Sequence, residues 1–367
     1  MKIALVHDWL NQVGGAEDVL EALVSIFPDA PVYTSIYWRE KMPAHWRAWD
    51  IRTSFLDGLP RIYRRQQLYL PLYPLAFEQF DFSEYDLVLS NKSGFAHGVI
   101  TPPNTLHICY CLTPTRYLWR YQQYAAQEKL GRATRTILAP FLTYLRMWDR
   151  LAADRVDEFI AISGEIRRRI AKYYRRDSTI IYPPVDLERF EPCNEHDDYY
   201  LFVGRLLPYR RLDVMIEAFN RLGRPLLIAG SGRDRERLEA LAGPNVTFLG
   251  YVPDEDLPGL MARSRAFVWP GEEDFGIAPI QAMAAGRPVI AYAAGGALDT
   301  VVPGAGALFA DQTPEAMIEA IETFDDARID PAFIRAHAAQ FDSAIFRQRL
   351  LDFVEQAMER HRRAAVT

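Results

Sequence analysis

The sequence predicts an α/β protein of two domains, each an open parallel sheet flanked by helices, and three observations carry that reading. Its 367 residues correspond to two domains at roughly 100–200 residues each. Short apolar, β-branched runs alternate with helical periods in both halves, the pattern of parallel strands joined by crossover helices. Near the middle, Tyr182-Pro183-Pro184-Val185-Asp186 leads into a polar run from Glu191 to Asp198. Paired prolines stiffen a connection and no apolar period runs through it, so the boundary is placed within 183–198.

In chain order, the first half offers strands at Ile3–Val6, Asp86–Ser90, Leu106–Tyr110 and Glu158–Ile162, with a helix from Asp18 to Ile26 whose Val19, Leu20, Leu23 and Ile26 share one face. The second half offers Tyr200–Val203, Pro225–Ala229, Val246–Leu249, Ala266–Trp269 and Pro288–Ala291, with a helix after the first of these running through Phe219. Helices follow at 314–324 and 343–362, the last with Ile345, Phe346, Leu350, Leu351, Val354 and Met358 at helical spacing. The domains are therefore 1–185 and 186–342, with 343–362 as a closing helix. Ligands of such sheets sit at the carboxyl ends of the strands.

Composition narrows the function classes. With 49% hydrophobic and 25% charged residues, disordered and fibrous classes are disfavoured. Net charge is −6, which argues against a nucleic-acid binder, but residues 1–185 hold 23 Lys+Arg against 19 Asp+Glu while the rest holds 19 against 29. Cys109, Cys111 and Cys193 form neither a disulfide framework nor a zinc spacing, so a reduced, cytoplasmic compartment is expected. The opening residues read as a strand rather than a signal peptide, and no apolar run is long enough to span a bilayer.

Three motifs could carry chemistry. After the first strand, Gly14-Gly15-Ala16-Glu17 opens a helix, where backbone N–H groups can approach an anion, although the spacing is not the dinucleotide fingerprint. After the strand at 200–203, Gly204-Arg205 leads to Arg210-Arg211, whose guanidinium groups suit a diphosphate. After the strand at 266–269, Glu272-Glu273-Asp274-Phe275-Gly276 delivers carboxylates for sugar hydroxyls and backbone amides for phosphate.

Taken in order with Gly230-Ser231-Gly232 and Phe248-Leu249-Gly250-Tyr251-Val252, these motifs resemble the retaining glycosyltransferases of family four, on the GT-B fold: two Rossmann-like domains with parallel sheets facing a central cleft. The resemblance spans nearly the whole chain and is most specific over 200–300. It implies a nucleotide-sugar donor held mainly by the second domain, an acceptor held mainly by the first, transfer with retention, and no metal or other cofactor. It also implies that the helix at 343–362 packs back on the first domain.

Carried over by position, Arg205 and Arg210 neutralise the donor diphosphate. The family usually has Lys at the second of these, and Arg211 competes for the role. Gly14 and Gly15 approach the phosphates, the backbone N–H groups of Phe275, Gly276 and Ile277 meet them, and Tyr251 and Val252 neighbour the base. Glu273 touches the transferred sugar. The family's second acid, eight residues on, is here Gln281, whose amide can still bond ribose hydroxyls but makes weaker bonds than a carboxylate.

On the acceptor side the resemblance points to Glu17, His97 and Arg116, with Lys92 as the fallback for His97, which is otherwise a solvated loop histidine. Relatives often carry His where Leu112 stands. Residues 61–74 interleave Arg61, Arg64 and Arg65 with tyrosines, so the segment is either a peripheral membrane contact serving a lipid-linked acceptor or a helix with a basic outer face. Mannose from GDP-mannose is the favoured donor, onto a glycan or lipid-linked acceptor. A UDP-sugar donor, a GT-B nucleotide-sugar epimerase and a non-catalytic nucleotide-sugar-binding protein remain the alternatives.

Overall fold

The computed structural model describes residues 1–122, 131–193, 195–324 and 329–364; Asn194 of the polar run therefore lies outside the described residues. The chain divides into two compact units, Met1–Tyr182 with Phe346–Thr367, and Pro183–Ile345.

The first unit is a parallel sheet of seven strands: β1 (Ile3–His7), β2 (Val32–Thr34), β3 (Ile51–Thr53), β4 (Leu87–Lys92), β5 (Leu106–Cys111), β6 (Glu158–Ala161) and β7 (Thr179–Ile180), in the order β3-β2-β1-β4-β5-β6-β7. The second is a parallel sheet of six: β8 (Tyr200–Val203), β9 (Leu226–Ala229), β10 (Val246–Gly250), β11 (Ala266–Trp269), β12 (Val289–Tyr292) and β13 (Gly306–Phe309), in the order β10-β9-β8-β11-β12-β13. Both are Rossmann-like. In each the strand order reverses once, between β1 and β4 and between β8 and β11, and the crevice at such a reversal is where open α/β sheets bind ligands.

Every strand read from the sequence exists, and four were missed: β2, β3, β7 and β13, which are two to four residues long. Three of them, β3, β7 and β13, are edge strands paired through one neighbour, and the fourth, β2, lies next to an edge. The strand expected to stop at Ser90 continues through Asn91 and Lys92, which pair with Tyr110 and Cys111 of β5. Polar residues hid this extension because their burial depends on partners distant in sequence.

Residues after Tyr182 pack with the second unit. Val185, Leu187 and Phe190 are buried, and Val185 donates its N–H to the Phe341 carbonyl at 3.1 Å. The closing helix, Ser343–Ala364, buries Phe346, Leu350, Val354 and Met358. Phe346 meets Tyr110 edge-on with ring centroids 5.7 Å apart, and Arg360 bonds Glu158 at 2.7 Å, which ties this helix to β5 and β6. Ile345 is exposed. No helix among the described residues is long and apolar enough to cross a membrane.

Candidate functional site

In the second unit, three loops leave the carboxyl ends of β8, β9 and β10 and meet through backbone. A Cβ on Gly230, whose φ is +136°, would lie 1.9 Å from the Gly204 carbonyl oxygen, and one on Gly232 would lie 2.2 Å from that of Leu206. Gly230 N–H also donates to the Gly250 carbonyl at 2.6 Å. Only glycine permits such an approach at that φ.

This contact fixes the chain that carries the arginines. Arg205 is exposed just past β8. Arg210 turns inward: its guanidinium lies 4.9 Å above the Trp269 ring and pairs with Glu273 at 3.1 Å, with both side chains at about 15% exposure or less. A cation over an indole face gains from the ring quadrupole. Trp269, at the end of β11, in turn stacks on Phe202 of β8 with centroids 5.1 Å apart. Arg211 has another task, bonding Asp213 and Gln312, each at 3.1 Å. The structure thus joins Arg210, rather than Arg211, to Glu273 across the strand-order reversal.

The Glu273 loop is held from its other side by the turn that follows β12. Glu273 and Gly295 form a parallel bridge, and Gly296 N–H donates to the Glu273 carbonyl at 2.8 Å. A Cβ on Gly295 would lie 2.0 Å from that carbonyl oxygen, and one on Gly296 would lie 2.2 Å from the Phe275 oxygen. Phe275 is buried and packs edge-on against Phe341. The helix Ile277–Ala284 then starts at Gly276 (φ +94°) with no side-chain cap, so its positive end is left to the backbone. Gln281 is half-buried one turn further along. Past β10, Tyr251 is 77% exposed and Val252 half-buried.

Sequence reading missed Trp269, Gly295 and Gly296. The small-residue run Ala293-Ala294-Gly295-Gly296-Ala297 after a strand was the available signal for the glycines. Nothing in the sequence pairs Trp269 with Arg210, since their contact is a product of strand order.

In the first unit, the helix Gly15–Ile26 begins after Gly14 with no side-chain cap. Glu17 is buried and faces His7 Nε2 at 3.4 Å, while Asn91 reaches His7 Nδ1 at 3.2 Å and donates to the Ala16 carbonyl at 2.8 Å. The carboxylate of Asp8 accepts the backbone N–H groups of Ser93, Gly94, Phe95 and Ala96 at 2.6–2.7 Å, which locks the loop after β4.

Three acceptor-side expectations are corrected by burial: Lys92 and His97 have no exposed surface, and Glu17, against His7, is 3% exposed. Lys92 Nζ donates to the Tyr174 hydroxyl and to the Thr113 carbonyl at 3.2 Å, and lies 3.7 Å from Asp149. Asp149 also accepts Thr115, Trp119 and Tyr174 at 2.6–2.8 Å. His97 Nε2 donates to the Asp149 carbonyl at 3.1 Å, and its ring stacks on Tyr174. Burial would raise the Asp149 carboxyl, but the Lys92 charge, with His97, Trp119 and Thr115, holds it below its usual range. Burial, then the Lys92 charge, pushes His97 down to about 4. The polar residues after β4 are spent on one another because each must be satisfied inside the fold. Arg116, at the start of the helix Arg116–Trp119, is half-buried.

Comparison with known proteins agrees with this architecture. The family model described as "Glycosyl transferases group 1" matches residues 186–338. A GDP-mannose-dependent monoacylated alpha-(1-6)-phosphatidylinositol monomannoside mannosyltransferase of Corynebacterium glutamicum is 29% identical over 56% of this chain and 64% of its own length. The O-antigen chain mannosyltransferase RfbU of Salmonella typhimurium is 28% identical over 40% of this chain and 45% of its own. The match thus spans less than two thirds of these relatives. The crystal structure of Anabaena HepE in complex with UDP superposes with a TM-score of 0.70 at 18% identity, covering 97% of this chain and all of that one. Solved glycosyltransferases of this kind, WaaG among them, share the two-sheet fold.

Proposed function

From the premise that the chain belongs, through residues 186–338, to the group 1 glycosyl transferases, we propose that it transfers a hexose with retention from a nucleoside-diphosphate sugar to a glycan or lipid-linked acceptor. Mannose from GDP-mannose is the favoured donor, supported by the mannosyltransferase names of its relatives. A UDP-sugar is the second reading, supported by the UDP bound in the HepE structure.

The observation that carries the proposal is the Arg210–Glu273 pair at the ends of β8 and β11. Held by Trp269 and Glu273, Arg210 is preorganised to meet the charge that grows on the departing diphosphate, and exposed Arg205 adds a second cation. The uncapped start of the helix at Ile277, with Phe275 and Gly276 before it, offers backbone N–H groups to phosphate. Arg210 fixes the Glu273 carboxylate, whose role is to orient the sugar hydroxyls. The bond from the anomeric carbon to the diphosphate oxygen breaks as the acceptor oxygen bonds the same face of that carbon. The acceptor proton passes to the leaving diphosphate, so the step needs no protein nucleophile and no metal or cofactor.

Gln281 binds the ribose, and Tyr251 and Val252 lie toward the base. Gly14 and Gly15 serve the phosphates and Arg116 belongs to the acceptor side, while Glu17, buried against His7, supports the start of the helix that follows the glycines. Free cysteines, two of them buried, favour a cytoplasmic enzyme, and residues 61–74 supply a peripheral contact with the inner face of the membrane. Glu273→Gln tests the reading. Transfer should fall on the order of 10²-fold or more while donor binding stays nearly intact, whereas an unchanged transfer rate removes Glu273 from the mechanism.

A further inference from the structure

The first unit holds a cavity of about 350 Å³, apart from the residues assigned to transfer, lined by Leu118, Trp119, Arg120, Tyr121, Gln122 and Arg146. It lies on the carboxyl side of the sheet, because the helix Arg116–Trp119 that forms one wall starts five residues beyond the end of β5. Its size is at the lower end for a small-ligand site, about 300–1,000 Å³, and suits a single sugar ring. Two parts of the wall are fixed in advance. Trp119 Nε1 donates to buried Asp149 at 2.6 Å, and the indole stacks on Tyr173 with centroids 4.9 Å apart. The indole has thus spent its one donor inside the fold and offers a ligand only hydrocarbon. Arg146, from the helix Arg132–Asp154, donates its Nε to the Leu118 carbonyl at 2.8 Å, and its two terminal nitrogens have no partner among the described residues.

We propose that this cavity binds an acidic sugar of the acceptor glycan, a uronic acid or a phosphorylated hexose, as a subsite of the first unit. A guanidinium with both terminal nitrogens open presents two parallel N–H donors, the fork that matches a carboxylate or a phosphate. The aromatic surface of Trp119 fits the C–H face of a pyranose, and Gln122, exposed on the same wall, can both donate to and accept from hydroxyls. Charge favours an anion. Positions 112–122 contain no Asp or Glu, and positions 166–176, which carry Tyr173, hold six basic residues and no acid. The carboxylate behind Trp119, Asp149, is fully buried and lies 3.7 Å from Lys92, so it adds little negative potential to the cavity. A neutral sugar is a poorer occupant, because it would cover the Arg146 charge without pairing it. The inference rests on the proposed transfer only in calling the sugar part of an acceptor.

Binding is therefore measured on the full chain without donor, by saturation-transfer NMR titrations of glucuronic acid, mannose 6-phosphate and mannose, with inorganic phosphate as competitor. One or both acidic sugars should bind, with mannose and inorganic phosphate about tenfold weaker or more. Binding of glucuronic acid alone identifies a uronic acid, and of mannose 6-phosphate alone a phosphorylated hexose. Arg146→Gln should weaken the acidic sugar about tenfold or more. Gln122→Glu, at an exposed position, should also weaken it by setting a like charge in the wall, and this second variant keeps the test independent of the bond between Arg146 and Leu118. Nucleotide binding, read by thermal shift, should be the same in wild type and both variants; its absence from the wild type would count against the transfer reading and not against this site. No binding of either acidic sugar overturns the proposal. So do equal binding of mannose, inorganic phosphate that binds as tightly as the sugars, and wild-type affinity in Arg146→Gln.

Discussion

At the carboxyl end of β4 in the first unit, Lys92 is enclosed with Asp149, Tyr174 and Thr115, whereas at the carboxyl end of β8 in the second, Gly204 and Gly230 let loops meet through backbone alone. Both places are strand-order reversals or lie beside one, and both position loops. The first does so with charges that satisfy one another and leave no side chain to the outside. The second does so with missing side chains, which leaves Arg205 exposed and Arg210 and Glu273 about one-seventh exposed at the rim. Chemistry is available where the scaffold is glycine and used up where the scaffold is charge.

Breaking the charged scaffold should have the largest effect. Asp149→Ala leaves Lys92 buried without its carboxylate, and removal of one partner of a buried pair costs about 3–5 kcal/mol. Chemical denaturation should show this loss in the first unit, while nucleotide binding by the second survives at temperatures where both are folded.

The same contrast has a pH signature. Burial pushes His107 down to about 3 and His97 to about 4, both below the ordinary 6.5. Each folded value is depressed, so the stability it contributes is complete above pH 6.5 and is lost as pH falls toward 4 for His97 and toward 3 for His107. Near pH 5 the loss is about 2 kcal/mol per histidine. The histidines of the second unit are exposed or half-buried, so thermal scans at neutral pH and near pH 5 should lower the first unit's transition more than the second's.

A smaller and more local effect is expected from Gly230→Ala. Its Cβ would need backbone to move, at about 1–3 kcal/mol for an overpacked contact, and the displaced 204–210 loop should weaken nucleotide binding. Titration of the folded variant with a nucleoside diphosphate checks this. Wild-type affinity would mean that the glycine contact does not position Arg210.

Most of the architecture was legible because strands such as β8 and β11 are continuous apolar runs bounded by glycine or proline. Strands β7 and β13 were not: two residues carry no period, and Gly306-Ala307-Leu308-Phe309, though as long as β8, has no β-branched residue and only Phe309 buried. In the site, Arg210 and Glu273 were visible as motifs, but their contact depends on β8 lying beside β11, which no local pattern states. His97 looked like a loop histidine available to a ligand for the same reason: Asp149 and Tyr174, which enclose it, are 52 and 77 residues away in sequence.

The most direct test of the central claim is the thermal shift of the full chain with GDP, UDP, ADP, GDP-mannose and UDP-glucose, in wild type and Arg210→Ala, because a ligand that binds the folded state raises its apparent stability. A selective rise with one nucleotide family is expected, weakened about tenfold in apparent affinity by Arg210→Ala. No shift with any of these ligands, or the same shift in both proteins, would contradict it.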